Sequence, residues 1–162
     1  MIGMLLFIIF GGFLCAAAAW DFLELKVPNV LTASFAAAGL CVAALHGADI
    51  LIAALGAGGA VFLLGWLLFV LRVMGGGDGK LMAATAVWLG PLPLVDFAVL
   101  IGLFGGALAA AILLFRNAGR APALLGPVWR ERLAAPHPPV PYAMAIAPAG
   151  VAAFLRHSQP LL

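Results

Sequence analysis

The sequence predicts an all-α fold: a polytopic membrane protein in which about six transmembrane helices form a single domain over residues 1–162. Three observations predict it. Hydrophobic residues make up 66% of the chain and charged residues only 9%, which is too little polar surface to cover a water-soluble globule. The mean hydropathy is +1.22. The apolar residues also form long stretches, and a helix needs about 20 of them to cross a bilayer.

Apolar stretches between polar or helix-breaking segments give the predicted spans in chain order: 2–20, 30–45, 50–71, 81–94, 97–115 and 140–155. Between the first two spans, Pro28 disfavours a helical Val27, and Asn29 is placed to cap the second helix. The segment 90–93, with two prolines and a glycine, interrupts the chain before the fifth span. The fourth span is the shortest, since residues 81–90 rise only about 15 Å at 1.5 Å per residue.

Basic residues are concentrated on alternate connections of this six-span topology. Only Arg156 falls on the side where both termini lie. The other seven Lys and Arg fall on the opposite side: Lys26, Arg72, Lys80, Arg116, Arg120, Arg130 and Arg132. By the positive-inside rule this second side is cytoplasmic, which places the loop 116–139 in the cytoplasm and both termini outside it.

The same topology divides the acidic residues between the two sides of the membrane. Asp21 and Asp78 are separated by two spans, so they lie on the same side of the membrane whichever way the protein inserts. Asp49 and Asp96 lie on the other side. Asp21 is therefore the candidate partner of Asp78, although a shared side alone does not bring two residues into contact.

Asp78 lies among glycines, between two apolar stretches, in a chain with only six acidic residues. A charge at membrane depth is costly, and by default it indicates function. Two carboxylates held close together share one proton. Such a pair can hydrolyse a peptide bond, because the ionised acid takes a proton from water while the protonated acid hydrogen-bonds the scissile carbonyl. The flanking glycines would permit unusual backbone angles and close approach of a substrate.

A simpler interpretation of the glycine-rich segment is a hairpin turn that carries a solvated aspartate. Nucleotide binding is excluded, because Met74 stands where a P-loop requires glycine and Leu81 where it requires Ser or Thr. Cys15 and Cys41 have no metal-ligand spacing, so we expect no metal and no cofactor. Nucleic acid is not an expected partner.

Three segments resemble the prepilin peptidase family, which contains type IV prepilin leader peptidases with a Gly-x-Gly-Asp motif. The first is Asp21-Phe22-Leu23-Glu24-Leu25-Lys26-Val27-Pro28-Asn29-Val30-Leu31, and the second is Gly75-x-Gly77-Asp78-x-Lys80-Leu81. The third, Val140-Pro141-Tyr142-Ala143-Met144-Ala145-Ile146-Ala147, is similar to a Pro-Tyr-Gly-x-Ala-Ile-Ala helix of that family. The chain looks like the short Flp/Tad-type members, with Leu23 in place of a frequent Arg and Ala143 in place of the usual Gly.

The resemblance implies an aspartic endopeptidase with Asp21 and Asp78 as the catalytic pair. It also implies support from Gly75, Gly77 and Lys80 and a substrate site lined by Glu24, Pro28, Asn29 and Tyr142. If these residues have no role in the site, Lys80 would extend to the lipid headgroups, and Glu24 would be a solvated charge at the end of a helix. The chain has no paired Cys-x-x-Cys segment like that of larger bifunctional relatives, so methylation of the new N-terminus is not part of the prediction.

The implied substrate is a prepilin or pseudopilin, cut before its apolar helix to release a short basic leader. The implied location is the bacterial cytoplasmic (inner) membrane, with the site facing the cytoplasm and with membrane lipids and pilus assembly or secretion machinery as partners. Two alternatives stay open. One is an intramembrane aspartic protease of broader, presenilin-like specificity, and the other is a non-enzymatic, proton-coupled transporter bundle that uses buried acids.

Overall fold

The computed structural model describes residues 2–117, 129, 131 and 140–157. Within these ranges the chain forms six helices and no strand, which confirms the all-α prediction. The helices are α1 (Ile2–Glu24), α2 (Asn29–Leu45), α3 (Ala48–Val70), α4 (Gly76–Leu89), α5 (Leu94–Asn117) and α6 (Ala143–His157).

The short helix α4 is the centre of the bundle. It packs against α2, α3 and α6, and every residue from Leu81 to Val87 is buried. Most of these side chains are small, which lets the surrounding helices approach closely. The buried hydroxyl of Thr85 donates a hydrogen bond to the carbonyl of Leu81 at 2.8 Å, so it needs no partner from another helix.

The bundle has two distinct ends. At the end where α1 stops and α4 and α6 start, Asp21 lies beside Ala143; we call it the carboxylate end. At the opposite end, Asp96 in the first turn of α5 meets His157 at the close of α6, with 2.8 Å between Oδ2 and Nε2. The start of α1 is also near the close of α6 there, since the rings of Phe7 and Phe154 are 5.8 Å apart.

An aromatic cluster holds α1, α2, α4 and α6 together. The ring of Phe10 lies 5.7 Å from those of Phe35 and Trp88 and 4.9 Å from that of Phe154. Trp88 satisfies its indole N–H by donating to the carbonyl of Phe35 at 2.8 Å. Large buried rings pack with many neighbours and bring geometric specificity, so this cluster sets how α4 sits against α1 and α2.

In the part of the chain that the structure describes, three helices are long and apolar enough to cross a membrane: Gly3–Glu24, Ala48–Val70 and Leu94–Phe115. Two shorter apolar helices, α2 and α6, accompany them. Many large apolar side chains on the outer surface of α3 remain exposed, Trp66 at 57% among them. This surface suits contact with lipid tails, and the protein is a membrane protein.

The first and fourth helices differ from the predicted spans. Helix α1 continues through Glu24, so Asp21 lies in a helix and not in a connection. Helix α4 starts at Gly76 and ends at Leu89, whereas the predicted span was 81–94. Glycine is a poor helix former, but packing of α4 against α3 stabilises the glycine turn. At 14 residues, α4 is about 21 Å long, less than the roughly 30 Å of a hydrocarbon core.

The predicted cap of the second helix is wrong. Helix α2 begins at Asn29 itself, and the preceding position is Pro28 with φ −61° and ψ 134° and no side-chain cap. The amide oxygen of Asn29 instead accepts a hydrogen bond from Lys80. Of the predicted loop 116–139, residues 118–128, 130 and 132–139 lie outside the described residues. Trp129 within it is buried and stacks on Phe22 with ring centroids 4.8 Å apart.

Candidate active site

Asp21 is held between α1 and the start of α6. Its side chain is almost fully buried, at 5% exposure. The backbone N–H of Ala143, the first residue of α6, donates a hydrogen bond to Asp21 Oδ2 at 3.0 Å. The first N–H groups of a helix have no partner within it and carry partial positive charge. The start of α6 therefore stabilises a carboxylate at this position.

Asp78 stands in the first turn of α4, before the predicted span and outside the three helices long enough to cross a membrane. Burial, together with the nearby charge of Asp21, raises the pKa of its carboxyl from 3.8 to about 7, against the opposing effect of a hydrogen bond with the backbone of Gly75. The interpretation of this residue as a solvated aspartate in a hairpin turn is thus wrong, because Gly76, Gly77 and Gly79 are helical and the carboxyl is partly buried.

Both carboxylates line a single cavity of about 640 Å³ at the carboxylate end. All three segments quoted above contribute to its wall. The connection after α1 supplies residues 25–27 and Asn29, the glycine segment supplies residues 72–78, and the approach to α6 supplies Val140 and Tyr142. Pockets of this size accommodate ligands of several hundred daltons. The cavity can therefore hold a short stretch of peptide against both acids.

The remaining predicted site residues divide into two groups. Gly75, Gly77, Asn29 and Tyr142 line the cavity. Lys80, Glu24 and Pro28 do not belong to its wall. Lys80 is directed to Asn29, with its Nζ 2.9 Å from Asn29 Oδ1, and Glu24 is exposed at the end of α1.

The glycines next to Asp78 do not have the unusual backbone angles that we predicted. Their role is to let neighbouring groups pack closely against the backbone. Gly75 has φ −68° and ψ 141°, which any residue adopts, and among the described glycines only Gly47 and Gly90 have positive φ. A Cβ on Gly75 would stand 2.8 Å from Asp78 Oδ2, closer than such atoms pack. Glycine at position 75 therefore leaves the space that the carboxylate occupies.

Several residues of the cavity wall were not predicted as site residues from the sequence, and two of them have an unusual backbone conformation. Leu25 and Arg72 have φ of 54° and 59°, and they are the only non-glycine residues with positive φ in the described part of the chain. Each follows the end of a helix, where a left-handed residue commonly terminates it and is usually glycine. Both line the cavity. No residue type at either position signals this conformation, and strained backbone of this kind concentrates at functional sites.

The fold and the cavity define a helical membrane protein with a paired-carboxylate site. A family model described as the type IV leader peptidase family matches residues 8–114, more than half of the chain. The chain therefore belongs to the type IV leader peptidase family, and it is a protease of that kind. The matched region contains Asp21 and Asp78, whereas Tyr142 and Ala143 lie beyond it. Neither the curated proteins nor the solved structures include a match.

Proposed function

We propose that this protein is an aspartic endopeptidase that removes the short basic leader from prepilin or pseudopilin precursors. The observation that carries the proposal is the cavity shared by Asp21 and Asp78, whose wall is built from all three motif segments. Membership of a leader peptidase family supports proteolysis over the alternative of a proton-coupled transporter.

In the proposed mechanism the two carboxyls share one proton. We assign the proton to Asp78, because burial and the charge of Asp21 raise the pKa of its carboxyl to about 7 and so favour its neutral form. The protonated Asp78 hydrogen-bonds the scissile carbonyl oxygen and makes the carbon more electrophilic. Asp21 takes a proton from the attacking water, which yields a tetrahedral intermediate without a covalent enzyme adduct.

The backbone around the two carboxyls holds them in place for these steps. Ala143 N–H occupies Oδ2 of Asp21, which leaves Oδ1 for water. The bond also fixes the carboxylate on α1 relative to α6, and fixed geometry is worth a large part of a catalytic rate enhancement. An extended peptide would reach the pair through the cavity, beside Asn29 and Tyr142.

The distribution of Lys and Arg supports a cytoplasmic location of the carboxylate end, in the bacterial inner membrane. A prepilin inserted in the same membrane would present its leader on that side and its apolar helix within the bilayer. Cleavage at the junction between them then requires only the extended segment to enter the cavity. Pilus assembly or secretion machinery would receive the processed product.

Co-expression with a tagged Flp-type prepilin tests the proposal. We expect a shortened product whose new N-terminus is identified by mass spectrometry. Asp21→Asn and Asp78→Asn should each abolish it while the protein still accumulates in the membrane. Asp49→Asn is the matched control, because Asp49 is an exposed acid in the first turn of α3 at the opposite end, and it should cleave normally.

Two results would contradict the proposal. Processing that survives either Asp21→Asn or Asp78→Asn would rule out the carboxylate pair. Equal cleavage of an unrelated membrane helix that has no leader would favour the alternative of broad, presenilin-like specificity.

A further inference from the structure

A second concavity, of about 500 Å³, lies on the outer side of α2, α3 and α4. We call it the groove. Ala33 and Ala36 of α2 form one wall, Gly59 and Phe62 of α3 form the other, and Ala83 of α4 lies in the floor. Most of the surface that lines it is apolar, so it suits an apolar partner.

The groove adjoins the carboxylate cavity. Asn29 lines both. Lys80, which also lines the groove, donates a hydrogen bond from Nζ to Asn29 Oδ1 at 2.9 Å. These two residues mark the boundary between the cavity that holds the two carboxylates and the apolar groove. A polypeptide in which a polar segment runs directly into an apolar helix matches the two sites in that order.

The shape of the groove suits a helix. A Cβ on Gly59 would meet no atom within 4 Å, so the backbone there is open to the outside. On α4 the groove extends from Lys80 to Val87, which at 1.5 Å per residue is about 10 Å, or two helical turns. An acyl chain would also satisfy the apolar walls. A helix is favoured because the groove adjoins the cavity in which a peptide bond has to be placed.

We propose that the groove docks the first turns of the apolar helix of the prepilin, immediately after the leader, and so sets which peptide bond reaches Asp21 and Asp78. This inference rests on the leader peptidase activity proposed above. Docking along α3 holds the helix in register, while the leader extends past Asn29 into the cavity.

Filling the groove tests this role. Gly59→Leu places a side chain in the open space of the groove, whereas Gly56→Leu on the same helix is the control, since Gly56 is exposed, meets no atom within 4 Å and does not line the groove. We expect KM for full-length prepilin to rise by about tenfold with Gly59→Leu, the scale of one blocked apolar contact. Gly56→Leu should match the unmodified enzyme.

Cross-linking provides a second readout that does not depend on turnover. In an Asp78→Asn background with Cys15→Ala and Cys41→Ala, and with a chemical oxidant added, Gly59→Cys should form a disulfide with a cysteine placed in the first turns of the prepilin helix. Gly56→Cys should not. Native mass spectrometry of Gly59→Leu, Gly56→Leu and the unmodified enzyme reports bound phospholipid.

The outcomes separate this inference from the proposed function. If the unmodified enzyme cleaves prepilin but Gly59→Leu has an unchanged KM, and Gly59→Cys cross-links no more than Gly56→Cys, helix docking in the groove is overturned. Loss of a bound phospholipid in Gly59→Leu with unchanged cleavage would overturn it in favour of a lipid site. Failure of the unmodified enzyme to cleave any prepilin would instead overturn the proposed function.

Discussion

The main chains of Gly65 and Gly79 touch where α3 crosses the start of α4. A Cβ on Gly65 would stand 2.9 Å from the Cα of Gly79, and a Cβ on Gly79 would stand 3.2 Å from the Cα of Gly65. Neither helix can carry a side chain at this point without moving away from the other. Because Asp78 directly precedes Gly79, this contact sets the position of the backbone that carries one of the two carboxylates.

Gly65→Leu should therefore separate α4 from α3. Overpacking of a close contact costs about 1–3 kcal/mol, so we expect a lower melting temperature in detergent and a loss of cleavage larger than the loss of folded protein. Gly56→Leu on the same helix is again the control, since a side chain there meets no neighbour. A Gly65→Leu enzyme with normal specific activity would show that the glycine contact does not position Asp78.

Ala143 positions Asp21 through its backbone N–H. The residue is fully buried, so Ala143→Leu has no room and should displace the N–H from Oδ2, with cleavage by the folded enzyme reduced by about tenfold or more. Ala143→Gly keeps the donor and should retain activity. Ala153→Leu is a matched control for overpacking, because Ala153 is equally buried on the same helix toward the opposite end. It should lower stability without lowering activity per folded molecule, and an equal loss of specific activity in both Leu variants would contradict a positioning role for Ala143.

The raised pKa of Asp78 makes stability depend on pH. Its carboxyl has a pKa of about 7 when folded and 3.8 as the reference value. Between these values the folded protein binds a proton that the unfolded chain has released, so the contribution of Asp78 to the free energy of unfolding falls as pH rises and levels off above about pH 7. Asp78→Asn cannot ionise and removes this slope.

Melting temperatures in detergent at about pH 4, 6 and 8 measure the effect. Relative to the unmodified protein, Asp78→Asn should gain most at about pH 8 and least at about pH 4. Asp49→Asn, exposed at the opposite end, should keep the slope of the unmodified protein. Parallel curves for Asp78→Asn and the unmodified protein would show that Asp78 titrates normally in the folded state.

Prediction from the sequence succeeded where the signal is local or follows from the number of spans between two residues. Apolar composition predicted helices, and the two spans between Asp21 and Asp78 predicted a common side, at which the structure has one cavity lined by both. It failed where neighbours in space override local preference. The glycines before Leu81 read as a turn because glycine disfavours helix, yet α4 includes Gly76. Asn29 read as a cap, yet its amide pairs with Lys80, 51 residues away.

The sequence by itself determined an all-α membrane protein, the six helices of the described residues and the acids that belong to one end, because hydrophobicity and helix-breaking residues act over a few neighbouring positions. Only the tertiary structure decided how those acids are held. The N–H of Ala143 reaches Asp21 across 122 positions of chain, and α3 meets α4 through two glycines whose importance depends on the opposing backbone. Such contacts depend on how whole helices pack, which no local pattern specifies.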